Sequence, residues 1–325
     1  MANITIPASS DYPLIRKGKN VRWAKRLLGQ KHALRVTRLY YFFRYIRSIA
    51  NQKKSVVLAR RQIMKIRVAI LSNHTNDSII ASGLELIREC SIKRNTALEL
   101  VAGVSANTDL VRITDMNSLL RYCYRVAGTV GLMLFGVLDT DQHAASPYAI
   151  DLGIAIQLTK ICRDIKSDAI ANRRYLPGTL VKNMPPQKLI KPADSERILV
   201  KNAVLCVLNQ AEKYYQSGER GLSYLPLRAR ISILVSTRLY REIGRELKNR
   251  QCEYWHEQVI VSRYKKAFIT LTALLSIAWN PKFWRHPAKH ESHLHTPLIN
   301  NDSSDLVLVP DYIKYRWINA LKDSR

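Results

Sequence analysis

Acidic residues are scarce, and scarcest at the start of the chain: between Met1 and Asn76 the only one is Asp11, against seventeen lysines and arginines. Over all 325 residues Lys+Arg number 52 and Asp+Glu 25, a formal net charge of +27. That excess excludes a surface built for cations and implies an anionic partner, for which nucleic acid and anionic lipid headgroups both qualify. Glycine and proline, 12 of each, are too few for a loop-dominated chain. The five cysteines are scattered and show no CxxC pairing, which predicts reduced core thiols. No secretory signal pattern opens the chain, since "MANITIPASSDYPLIRKGKN" turns polar before any apolar run develops. The longest strongly apolar run, "AFITLTALLSIAW" (Ala267–Trp279), has thirteen residues, short of the ~20 that a spanning helix needs. These absences point to a cytoplasmic protein whose Ala267–Trp279 helix is core or interfacial, with Lys265 and Lys266 at its start available for headgroups.

What is present is helical patterning. Apolar residues recur at three- and four-residue spacing in "ALRVTRLYYFF" (Ala33–Phe43) and from Ile198 to Tyr215. The pattern is interrupted at "SNHTND", "DTDQHAASP" and "KNMPPQKLIKPAD", which read as inter-helix loops. An all-α chain is predicted, with a polar lead-in over 1–18, one large domain over 19–280 and an extension over 281–325 that ends in a short helix around Asp311–Leu321. In the extension His286, His290, His293 and His295 could meet a metal with Glu291, but they match no recognised ligand spacing and read as a polar surface loop.

The stretch "ICRDIKSDAIANRRYLP" places Asp164 and Asp168 four residues apart, on one face if helical, where both can reach one divalent ion. Magnesium suits such a pair, because it takes a few carboxylates and fills its other positions with water and substrate phosphate. The same spacing also suits a solvated face paired with Arg163, Arg173 and Arg174, and spacing alone does not separate the two.

The wider pattern "YAIDLGIAIQLTKICRDIKSDAIANRRYLP" (Tyr148–Pro177) resembles the squalene and phytoene synthase family, in which a Gln-x-x-Asn-x-x-Arg-Asp-x-x-x-Asp helix precedes an Arg-x-Tyr-Leu-Pro ending. Here those positions are Gln157, Lys160, Arg163, Asp164 and Asp168, then Arg173 with Tyr175, Leu176 and Pro177. "YCYRVAGTVGLML" (Tyr122–Leu134), "AEKYYQSGERGLSYLP" and "STRLYREI" match further blocks in the expected order, over roughly Lys19 to Thr270. The resemblance implies an isoprenoid-synthase helical bundle around a central apolar cavity. It also implies Mg2+ on Asp164 and Asp168, Gln157, Arg163 and Arg173 around a prenyl diphosphate, and Tyr122 at the reacting centre, with Val126 and Val130 supplying part of an apolar wall. An allylic diphosphate ionises when cations meet the departing charge, and the carbocation left behind is stabilised by an aromatic face in a dry wall.

Departures from the family pattern cluster in one place. "LYYFFRYIRSIAN" keeps Tyr40 and Arg44 but has Arg47 to Asn51 where relatives carry a first aspartate pair, Lys160 replaces the usual asparagine, and Asn172 replaces a glycine. Fewer magnesium ions are therefore expected, and Arg47 or Lys160 is expected to pair with Asp164 or Asp168. The implied activity is condensation of farnesyl or geranylgeranyl diphosphate by a peripheral protein at the inner, anionic membrane face. The alternative is a catalytically silent relative that binds prenyl chains or aids assembly at the membrane. A nucleic-acid role is set aside, since the N-terminal arginines lie on helices of core pattern and lack interleaved base-stacking aromatics.

Overall fold

The computed structural model describes residues 28–50, 55–108, 110–140, 142–287 and 289–298. Among them no strand forms, and the helices follow from local signals. Helix α1 (Gln30–Ala50) buries Leu39, Phe42, Ile46 and Ile49, a stripe at three- and four-residue spacing. Helix α2 (Val56–Ser72) starts where the Ser55 side chain accepts from the Leu58 amide and stops at Asn73, whose φ of 57° is left-handed. Asp77 caps α3 (Ser78–Glu89) through the amides of Ile79 and Ile80. Helix α4 (Arg94–Ser105) leads into a 3-10 turn, Ala106–Thr108. Asp115 then caps α5 (Met116–Cys123) through the Ser118 amide.

Helix α5 runs without a break through a π-helical segment, Tyr124–Gly128, into α6 (Thr129–Val137). The centre of the bundle is α7 (Gln142–Ile170), 29 residues and about 43 Å long. It packs against α6, the π segment, α8 (Pro186–Ile190), α9 (Asp194–Arg220) and α10 (Leu227–Asn249). Approach on the α6 side is close: a Cβ on Gly153 would lie 2.3 Å from the Ala127 carbonyl oxygen, and one on Gly131 would lie 2.2 Å from that of Ala149. Helix α7 ends in a Schellman turn, in which Arg173 N–H donates to the Asp168 carbonyl and Asn172 N–H to that of Ala169. Asn172 has a φ of 57°, and asparagine suits the turn, being the residue after glycine that best tolerates this region.

Helix α11 (Arg263–Ser276) continues as a 3-10 turn through Trp279 and packs mainly on α10, with Ala273 as its buried residue. Lys265 pairs with Glu242 and Glu246 of α10 at 2.9 and 2.7 Å, so it is tied to the body rather than free for headgroups as the sequence suggested.

The segment after α12 (Pro281–Trp284) corrects the polar-loop reading of the histidines. Phe283, His290, Leu294, His295 and Leu298 are all buried, while His286 and His293 are exposed. The cause is a partner far away in sequence: His290 and His295 close on Asp151 of α7, and the Tyr214 hydroxyl donates to the Leu294 carbonyl at 2.6 Å. Glu291 pairs instead with Arg220 at 2.6 Å. The lead-in over 1–18, Asn51 and the helix expected around Asp311–Leu321 lie outside the described residues.

Candidate active site

The C-terminal half of α7 carries Gln157, Lys160, Arg163, Asp164 and Asp168, and the ensuing turn carries Arg173 and Tyr175. Asp164 is engaged by its own neighbour: Arg163 donates Nε to Oδ1 at 2.8 Å and Nη2 to Oδ2 at 2.6 Å, a two-pronged pair on a carboxylate and guanidinium each about a quarter exposed. Gln258, from the loop after α10, donates to Oδ1 at 2.7 Å.

Asp168 differs. Among the described residues its carboxylate takes part in no hydrogen bond or ion pair. Burial and the charge of Asp164 push its pKa up to about 7, against the pull of Arg173, Arg47 and Arg163. Two like charges four residues apart in a half-buried place favour either a proton or a cation between them. The described part of α1 carries no carboxylate to face the pair.

Positive charge converges on the same place. Arg47 of α1 lies near enough to influence Lys160, Asp168, Tyr122 and Tyr175, and Lys160 is lowered to about 7 by burial, Arg47 and Arg163. The expectation that Arg47 or Lys160 pairs with an aspartate is corrected: neither makes an ion pair with Asp164 or Asp168, because Arg163 and Gln258 already hold Asp164. Arg44 turns back on its own helix, donating to the Tyr40 hydroxyl at 2.6 Å with its guanidinium 5.8 Å from that ring, and no hydrogen bond ties either residue to the aspartates.

Tyr122 and Tyr175 stack at a tilt, centroids 5.0 Å apart, and both hydroxyls donate to Oδ1 of Asn107, at 3.0 and 2.9 Å. Arg173 Nη2 donates to the Asn107 carbonyl at 3.1 Å. Burial and the neighbouring tyrosine raise Tyr122 well above an ordinary phenol, so it stays neutral. Asn107, buried in the 3-10 turn after α4, thus joins both rings and Arg173, yet no spacing in the sequence singles it out. Val126 and Gln157 are buried, while Ala127, Val130, Leu134 and Ile156 pack on the core with part of their surface still accessible. Tyr240 of α10, inside the matched block "STRLYREI" but given no role of its own there, is near enough to influence Arg163.

A helical bundle with a carboxylate pair, a group of cations and a tyrosine pair gathered near one end of its central helix is an all-α isoprenoid-synthase fold. A dehydrosqualene synthase crystal structure matches it with a TM-score of 0.71 over 82% of this chain and 94% of that one at 21% identity, and a squalene synthase from Alicyclobacillus acidocaldarius with 0.60 over 71% and 94% at 14%. In sequence, the 15-cis-phytoene synthase of Pantoea ananas is 28% identical over 78% of this chain and 86% of its own, and the phytoene synthase of Pseudescherichia vulneris 30% over 69% and 72%. The squalene/phytoene synthase family profile matches residues 14–265, and the chain belongs to that family.

Proposed function

We propose that the protein is a prenyltransferase of isoprenoid biosynthesis that condenses two farnesyl or geranylgeranyl diphosphates, with a smaller metal requirement than its relatives. The observation that carries this reading is the convergence of Arg47, Lys160, Arg163 and Arg173 on the Asp164–Asp168 pair beside the Tyr122–Tyr175 rings. In this reading Asp164 and Asp168 hold one magnesium ion, which when bound would neutralise charge on a departing diphosphate. Arg47 and Arg173 bind the diphosphate oxygens directly, supplying fixed positive charge where relatives have a second carboxylate group, and Lys160, lowered to about 7 in the substrate-free chain, takes up a proton as the anion arrives. Arg163 orients Asp164 through its two-pronged contact, and Gln157 completes the polar end. Tyr122 offers a neutral aromatic face to the allylic cation, held in place by Asn107, while Val126 and Val130 exclude water. Tyr40 and Arg44 stand at the α1 wall toward the second substrate.

A second reading, a silent prenyl-binding or assembly factor, is favoured by one observation: Asp164 is already closed off by Arg163 and Gln258. Incubation with C15 and C20 diphosphates, with and without magnesium, followed by product analysis, separates the two. Release of diphosphate with a condensed hydrocarbon is expected. Stoichiometric prenyl binding with no diphosphate released would overturn the enzyme reading in favour of the second.

The partner surface proposed is the anionic inner face of a membrane. Tyr264, Phe268, Leu271 and Leu275 lie along one side of α11 with Trp279 beyond, and Tyr264 and Trp279 are 90% and 83% exposed. No helix among the described residues is long and apolar enough to cross a membrane. An exposed apolar stripe on a strongly basic protein supports seating at an anionic lipid surface.

A further inference from the structure

Away from the carboxylate pair, Asp151, His290 and His295 bring their ligating atoms within 4.8 Å of one another, and all three residues are buried. Asp151 is fully enclosed on α7, and the histidines come from the segment 139 and 144 residues later. His290 Nε2 lies 2.8 Å from Oδ2 of Asp151 and His295 Nε2 lies 2.8 Å from Oδ1. Ser217 of α9 donates its hydroxyl to Oδ2 at 2.6 Å, and Tyr148 packs edge-on against His290 at 5.1 Å between centroids. Along α7 the cluster precedes Asp164 by 13 residues, about 20 Å, and points to a different side of the helix.

We propose that Asp151, His290 and His295 form a binding site for one divalent transition-metal ion of the zinc class, which fastens the C-terminal segment to the central helix. The donor set of two imidazole nitrogens and a carboxylate suits zinc and not magnesium, which takes oxygen ligands. The 2.8 Å separations are hydrogen-bond lengths, and a widening to about 3.3 Å would bring the donors to tetrahedral angles around an ion with bonds of about 2.0–2.1 Å. Ser217 supplies the outer hydrogen bond that orients a ligating carboxylate. An ion here would also neutralise Asp151, a full charge in a dry interior. The rival arrangement is a clasp of hydrogen bonds alone, in which both imidazoles donate to Asp151 and no ion enters.

The test uses the full chain, stripped with chelator and titrated with zinc chloride alone, with metal content and Tm as readouts. One zinc per chain and a Tm raised by zinc and lowered again by chelator are expected. Asp151→Asn and His295→Gln should each weaken zinc binding by about 100-fold or more, while Asp168→Asn keeps it. Cobalt(II) in place of zinc should give the visible absorption of a low-coordinate nitrogen and oxygen site in the wild type and lose it in His295→Gln. A wild-type chain whose metal content and Tm ignore both zinc and chelator establishes the hydrogen-bonded clasp and overturns the proposal, whether or not the variants fold. Zinc retained in Asp151→Asn and lost in Asp168→Asn would overturn it as well.

Discussion

Lys160 shows how a single residue can record the unusual charge of the site. Its ammonium is lowered from 10.5 to about 7 by burial, then by Arg47 and Arg163. Below pH 7 the folded chain must hold that charge at a cost. Between about 7 and 10.5 the folded state has released the proton while the unfolded chain retains it, so this contribution to stability improves as pH rises through the interval. Lys160→Met should therefore raise Tm more at pH 6 than at pH 9, and equal gains at both values would show that Lys160 is not strained by its neighbours. Asp168 gives the complementary expectation. Its carboxylate has no hydrogen-bond or ion-pair partner among the described residues and is pushed upward by burial and Asp164. Asp168→Asn should leave Tm unchanged or higher while diphosphate turnover falls by at least about 100-fold, the scale set by loss of a group that stabilises developing charge. Wild-type turnover in that variant would remove Asp168 from the proposed site. Asp164, Asp168 and Lys160 could be picked from the sequence because motif spacing exposes them. Asn107 could not, since an isolated asparagine becomes significant only when Tyr122, Tyr175 and Arg173 are folded around it.

At the level of elements, the interface between the π segment, α6 and α7 depends on backbones that almost touch. Gly153→Ala would place a methyl group 2.3 Å from the Ala127 carbonyl oxygen, a backbone atom that cannot swing aside as a side chain would. A loss of about 1–3 kcal/mol is expected from such overpacking, seen as a lower midpoint of denaturant unfolding. An unchanged midpoint would mean the helices can separate freely. The helices themselves were legible in the sequence because their apolar stripes are local, as with Leu39 and Phe42 in the Ala33–Phe43 stretch of α1. The π-helical turn at Tyr124–Gly128 was not, because an added residue within a helix leaves no composition mark. Nor was the burial of His290 and His295, whose partner Asp151 lies far upstream and outside any ligand-spacing rule.

For the whole molecule, a net charge of +27 and the apolar stripe of α11 should act together. Co-sedimentation with anionic vesicles should exceed that with neutral ones, weaken at 1 M salt where the Debye length is ~3 Å, and drop in a Phe268→Glu, Leu271→Glu double variant. Equal binding to both vesicle types would argue against an electrostatic contribution. The fold class could be read from the chain because helical periodicity and the motif blocks around Tyr122 and Asp164 run through most of it, whereas the closure of the C-terminal segment depends on tertiary contacts alone. The placement of α7 among α6, α8, α9 and α10, against α11 with Ala273 as its buried residue, also divides the molecule in time. Amide hydrogens of α7 should exchange with solvent water only when the entire bundle opens, while those of α11 should exchange through a local detachment that leaves the bundle closed. The proposed membrane-facing arm would then be able to lift and reseat many times during the lifetime of a single folded kernel.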